Sequence, residues 1–200
     1  GEMDLMRQQL EASGTRLLFS APWAPGKDGM SAYQGHVDDM QRAGLNIIGT
    51  TQPRAAGFLS GLKTSILIGM RLKGQAWREL RGMEPDARLE AIRDGNFRSR
   101  LVEEARQMEM AESIGQTMSS SRYALPPAKS FWMGTDDRPV YTRGDDESLA
   151  NLAAQAGEHP AETWLRFMLE SNGEGLFHIR FVNEDLEVLP KFMRADWIVP

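Results

Sequence analysis

The chain has 200 residues, 41% hydrophobic and 26% charged, with a formal net charge of −5 at pH 7 and no cysteine. Such a chain suits one domain, or one with a small appendage, and can bury a real core. Without cysteine it makes no disulfide and no thiolate metal site, and without a basic block or Lys/Arg stripe it argues against a nucleic-acid surface. The N-terminal "GEMDLMRQQLEASG" has no signal-peptide apolar stretch. The most apolar segment, "GLKTSILIGMRLKG", is too short and too charged to span a bilayer. These features predict a soluble, cytoplasmic protein, although a lack of cysteine is also compatible with export.

The first fifty residues alternate between helix and strand patterns. Met3 to Ser13 carries Leu5, Met6, Leu10 and Ala12 near helical spacing, with Gly14 as a stop. "TRLLFS" (15–20) is an apolar run of the buried-strand kind. A Pro/Gly-rich loop follows, and Ser31 is placed to cap a helix over 32–43 that Gly44 ends. "LNIIGTT" (45–51) reads as a second buried strand. Helix, strand, helix, strand, with no polar alternation in the strands, predicts a parallel sheet covered by helices.

From Pro53 to about Met118 the signals are helical, with almost no strand. "EPDARLEAIRDG" has Pro85 in a first-turn position and Gly95 after its end, and "NFRSRLVEEARQMEM" continues with Phe97, Leu101, Val102 and Ala105 on one face. Residues 119–139 read as an irregular return with a short strand near Phe131 to Met133. Beyond it, Asp145 to Ala156 is a helix ended by Gly157, Pro160 opens another, and "GLFHIRF" (175–181) is a strand. Asn183 or Asp185 is placed to cap a helix through Met193, and "WIVP" begins a further strand. The expected organisation is therefore strand–helix units over 1–52, a largely helical insertion over 53–139, and further helix–strand units over 140–200.

Three stretches, "QPRAAGFLSGL", "HPAETWLRFML" and the terminal "ADWIVP", set in this order, resemble the later part of the amidohydrolase-type N-acyl-D-amino-acid deacylases. The likeness runs over nearly the whole chain in extended texture, and none of its stretches is a catalytic signature. It implies an α/β fold that is part of a (β/α)8 barrel of the TIM type, interrupted by a helical insertion. It also implies a metal-dependent hydrolase, usually with zinc at the carboxyl-end mouth. In that family a His-x-His pair comes from early strands and an aspartate follows the last one. This sequence has no His-x-His, so the resemblance implies an internal fragment that lacks the metal-binding ends, binds zinc weakly or not at all, and is inactive alone. No catalytic residue and no metal ligand is assigned within it.

The polar groups that remain each admit two readings. In "LFHIRF" the alternation sets His178 and Arg180 on one side and Phe177, Ile179 and Phe181 on the other. On a barrel's inward face Arg180 would pair a substrate carboxylate through a two-pronged hydrogen bond, with Asn183 just past the strand to orient it. A structural network at a strand end satisfies the same groups. "GTTQPR" places Thr50, Thr51, Gln52 and Arg54 at or just beyond another strand end, where Arg54 either balances an anionic substrate or pairs with a loop carboxylate. Ser20 and Trp23, in "FSAPWAPG", line a pocket or cover the rim. His36 lies in a helix within reach of Asp39, and His159 sits at a helix start before Pro160. The substrate-side candidates are thus Arg54, His178, Arg180 and Asn183.

Two other functions compete. One is a self-contained α/β binding or assembly module; exposed parallel-strand edges invite pairing, so self-association is expected under either reading. The other is a serine hydrolase built on Ser20, His178 and an aspartate, which "FSAPW" disfavours because it is not the G-x-S-x-G elbow that exposes a nucleophile. No nucleic acid or membrane partner is expected.

Overall fold

In a computed structural model, residues 1–23, 31–66, 74–114, 127–135, 138–185 and 187–200 are described. The chain divides into two units. The first combines Gly1–Ala56 with Phe181–Pro200, and the second is the contiguous stretch Gly57–Arg180.

The first unit is built on a parallel three-stranded sheet in the order β1 (Arg16–Ser20), β2 (Asn46–Thr50) and β6 (Ile198–Val199). The register pairs Arg16 with Asn46 through Ser20 with Thr50, and Gly49 with Ile198. Helix α1 (Glu2–Ser13) stops where Gly14, at φ 62°, turns its N–H back to the Leu10 carbonyl. Helix α2 (Gln34–Arg42) begins two residues later than the sequence predicts. Ser31 does not cap it; its hydroxyl instead accepts from the Tyr33 N–H at 3.3 Å. The short helix α8 (Leu189–Phe192) replaces the longer one expected from Asn183 or Asp185 to Met193. There the Asp185 carboxylate accepts the N–H groups of Glu187 and Val188, each at 3.0 Å, and holds the chain in a turn before the helix begins, with Pro190 in its first turn.

All three helices pack on the same face of this sheet. Their apolar residues Leu10, Val37, Met40, Leu189 and Phe192 form one core with Phe19, Ile47, Trp197 and Ile198. The opposite face, carrying Leu18, Ile48, Ser20, Thr50 and Val199, receives no helix of that core. Leu18 is 62% exposed and Val199 50%. Gly49 makes the covered face possible, because the Trp197 indole lies where its side chain would be: a Cβ there would stand 2.7 Å from Trp197 Cζ3.

The second unit contains the other sheet, in the order β3 (Ala56–Gly61), β5 (Leu176–Val182) and β4 (Ser130–Trp132). Strands β4 and β5 run antiparallel, with Phe131 opposite His178 and Trp132 opposite Phe177. Helices α3 (Gln75–Gly82), α4 (Pro85–Arg93), α5 (Gly95–Ile114), α6 (Leu149–Ala156) and α7 (Pro160–Glu170) supply most of its core. Trp77, Leu80, Ile92, Leu101, Leu149, Trp164, Leu165 and Met168 are all fully buried there. The α3 start is held by Glu104 of α5, whose carboxylate accepts the Ala76 N–H at 3.0 Å. Trp77 Nε1 donates to the Leu101 carbonyl at 2.8 Å.

The α/β class is as expected, and the arrangement of strands is not. Among the described residues there is no closed barrel. The strand at 176–182 belongs to an antiparallel sheet rather than to a row of parallel barrel strands. The region read as largely helical, with almost no strand, contains β3, whose "AGFLSG" lacks strand-like alternation. Its Gly57 lets the backbone approach β5 so closely that an added Cβ would stand 1.7 Å from the Ile179 carbonyl oxygen. Residues 140–180 fall in the second unit and 181–200 in the first. The side chains of 108–114 and most of the irregular return after them lie outside what is described.

Candidate functional site at the carboxyl end of the parallel sheet

Strands β1 and β2 run side by side and end together, at Ser20 and Thr50. Their exits are tied: Ala21 N–H donates to the Thr50 carbonyl at 2.8 Å, and the Thr50 hydroxyl to the Phe19 carbonyl at 3.3 Å. Thr51 N–H donates to the Val199 carbonyl at 3.1 Å, which extends the β2–β6 pairing by one residue. Asn183 closes the arrangement. Its Oδ1 accepts the Trp23 N–H at 2.6 Å, and its Nδ2 donates to Thr51 Oγ1 at 3.2 Å and to the Gln52 carbonyl at 2.8 Å. The side chain is 2% exposed and its backbone is left-handed, at φ 56°. Around this tied centre Ser20, Gln52 and Arg54 are exposed, and the half-buried Trp23 ring packs on Phe192 at 5.5 Å.

Arg54 and Asn183 thus belong to the first unit, as residues at or beyond strand ends. The Asn183 amide bonds Trp23, Thr51 and Gln52. His178 and Arg180 belong to the second unit. Strand β5 pairs antiparallel with β4, so the barrel-mouth geometry that motivated both residues is not there. His178 is buried against the edge of Tyr141, with ring centroids 5.5 Å apart. Arg180 lies over the Phe131 ring at 3.8 Å and donates from Nη2 to the carbonyls of Tyr141 and Arg143, at 3.0 and 2.9 Å. This is the strand-end network rather than a free carboxylate fork.

The second unit also holds a cleft of about 520 Å³ between α5 and α7, which sequence reasoning missed. Its polar lining is Arg98, Arg106 and Arg166 against Glu103, Glu158 and Glu162, over Val102 and Leu169. The opposite charges are matched in number, and two pairs meet directly. Arg106 meets Glu162 at 3.2 Å, and Arg166 holds Glu158 through Nε and Nη2 at 3.1 to 3.2 Å. The hydrogen bonds from Arg166 keep the Glu158 carboxyl below its ordinary pKa, helped by the Thr163 hydroxyl and opposed by burial. The same bonds raise Arg166. The lining charges sum to zero. Its helical spacing was legible in "RSRLVEEAR" and "EHPAETWLR", but the meeting of the two helices was not.

The three histidines are engaged elsewhere than in a metal site. His36 is exposed on α2, His159 caps α7 by accepting the Ala161 N–H on Nδ1 at 3.1 Å, and His178 is packed as described. Among the described residues no three of His, Cys, Asp or Glu stand together as a metal-holding group. No helix among them is long and apolar enough to cross a membrane. Compared with protein-family models, with curated proteins and with solved structures, the chain matches none.

Proposed function

We propose that this chain is part of a metal-dependent amidohydrolase that hydrolyses the amide bond of N-acyl (D-)amino acids, and that it contributes an arc of a (β/α)8 barrel with substrate-side walls. The observation that carries the reading is the one-sided parallel sheet of the first unit. Consecutive β/α units place parallel strands in sequential order with every helix outside, and the strands' other face turns inward. A doubly wound sheet instead has helices on both faces. Here β1, β2 and β6 lie in sequence order, α1, α2 and α8 share one face, and Leu18, Ile48 and Val199 occupy the other. The second unit is then an insertion between two arc strands. The resemblance of "QPRAAGFLSGL" and "ADWIVP" to the deacylases supports the same reading, since these stretches follow β2 and form β6.

On this reading the substrate meets the exposed residues at the carboxyl end of β1 and β2. Arg54 is the group suited to a substrate carboxylate, because a guanidinium can give two parallel charge-assisted hydrogen bonds to it. Gln52 and Ser20 offer neutral polar contacts beside it. Zinc, which the family resemblance implies, does not fit the described residues, whose histidines cap a helix, pack on an aromatic ring or stand alone on a helix surface. No step at a metal is assigned to them, and the chain alone is expected to be inactive.

The test is release of free amino acid from a panel of N-acetyl-D- and N-acetyl-L-amino acids, with zinc supplied. It compares the 200-residue chain with the polypeptide made from its full coding region. Hydrolysis by the latter alone supports the reading, and hydrolysis by neither overturns it. A second reading, a non-catalytic assembly module, draws on the exposed Leu18 and Val199 face. Concentration-dependent self-association in sedimentation, together with no hydrolysis by either polypeptide, would select it.

A further inference from the structure

We infer that Asn183 is a positioning residue that locks the exits of β1 and β2 into one platform for a carboxylate-bearing ligand, without touching the ligand itself. The ligand class rests on the functional reading above; the lock does not. Asn183 follows β5 in the chain yet makes its three side-chain bonds to segments about 130 to 160 positions away: Trp23, Thr51 and Gln52. Each bond falls at or just past the carboxyl end of a parallel strand, the place where parallel α/β architectures hold ligands.

The chemistry fixes the side chain's orientation and its identity. Of the amide's two ends, only the oxygen can accept the Trp23 N–H and only the NH2 can donate to the Gln52 carbonyl, so the amide stands one way round. Aspartate could keep the first bond and not the second, and leucine, of similar size, could make neither. The left-handed backbone at φ 56° narrows the choice further, because Asn and Gly tolerate it and β-branched residues do not. Strain of this kind persists where the surroundings over-determine it, and such sites cluster at ligand clamps. At 2% exposure Asn183 is shielded from any ligand, so recognition falls to its exposed neighbours Gln52 and Arg54.

The experiment uses the whole chain and two variants, Asn183→Gly and Asn183→Asp. Glycine keeps the backbone conformation and removes the amide; aspartate keeps the acceptor for Trp23 alone. Amide hydrogen exchange by NMR is read at Trp23, with Ala21 and Thr51 as internal references because their N–H groups are held by the strand exits themselves. The expected result is at least a tenfold faster exchange at Trp23 in Asn183→Gly, protection restored in Asn183→Asp, and reference amides changed by less than threefold. Equal Trp23 exchange in wild type and Asn183→Gly overturns the lock. Acceleration of all three amides together overturns it too, by showing a general loss of stability. The ligand half is read by titrating N-acetyl-D-leucine. At least tenfold weaker binding by Asn183→Gly, partly recovered by Asn183→Asp, supports it. No binding by wild type, with the Trp23 result intact, overturns the ligand class and leaves the lock standing.

Discussion

Replacing Gly49 by alanine tests the packing that lets the chain's C-terminal strand dock. The added methyl would stand 2.7 Å from Trp197 Cζ3, 2.9 Å from Ala21 Cβ and 3.0 Å from Ile198 Cδ1. Carbon atoms in good contact stand about 3.5–4.0 Å apart, so three neighbours must yield at once. Overpacking of this kind costs about 1–3 kcal/mol, and the loss of glycine's freedom in the unfolded chain returns about 0.4–1 kcal/mol. The net expectation is a destabilisation of about 1–2 kcal/mol. With a urea slope of about 2 kcal/mol/M, that lowers the unfolding midpoint by roughly 0.5–1 M. Gly35 is the control: it lies in the first turn of α2, exposed, with nothing within 4 Å of an added Cβ. Alanine there should be neutral or stabilise by up to about 1 kcal/mol. The decisive comparison is the double-mutant cycle with Trp197→Leu, which removes the closest obstacle, so the cost of Gly49→Ala should fall by at least about 1 kcal/mol in that background. If Gly49→Ala is within about 0.5 kcal/mol of wild type, or its cost is undiminished beside Leu at 197, the reasoning fails.

The remaining expectations are shorter. Gly57→Ala should exceed Gly49→Ala, reaching about 3 kcal/mol or more, because its obstacle is the Ile179 backbone carbonyl, which cannot rotate away; urea unfolding and exchange of the β5 amides measure it. Glu104→Ala should cost about 1–2 kcal/mol by leaving the α3 N–H groups unmet, and Glu104→Gln about half as much, since an amide oxygen still accepts. Arg180→Lys should lower stability by about 1–2 kcal/mol, because an ammonium cannot both lie flat on Phe131 and reach two carbonyls; an unchanged melting temperature would contradict this. For Glu158, the folded carboxyl titrates below its unfolded value, so its stabilisation is fully present above the unfolded pKa and is lost as pH falls through the folded one. Glu158→Gln should therefore flatten the stability profile on the acid side of about pH 5, with little change in its slope near neutrality.

Local structure was largely legible in the sequence, because its causes are local. Gly14 and Gly157 end helices in the left-handed conformation, Pro85 and Pro160 open them, and the runs around Leu17 and Ile47 pair as parallel strands, although with one face covered rather than buried throughout. What failed was long-range. The direction of β5 leaves no mark on its own periodicity; it is set by pairing with Ser130–Trp132. Strand β3 is hidden because glycines at 57 and 61, needed for close approach, dilute the pattern that identifies a strand. For Arg180 the polar face was readable, but the carbonyls that satisfy it lie nearly forty residues earlier, in a stretch with no regular structure. Asn183 was singled out for standing just past a strand. Its actual bonds could not be found without knowing that the ends of β1 and β2 come to it.

The close approach at Gly57 also bears on how the chain folds. The parallel sheet needs β6 to reach β2 across the whole inserted unit. Closing a flexible loop of ~120 residues costs roughly 4 kcal/mol of chain entropy. The insertion removes most of that cost on its own account, because its first residue and its last strand are backbone neighbours once β3 lies on β5. The loop that remains to be closed is then far shorter than the sequence separation of β2 and β6. Were the second unit to fold first, Gly57→Ala would slow formation of the parallel sheet as well as destabilise β3, which refolding kinetics would measure.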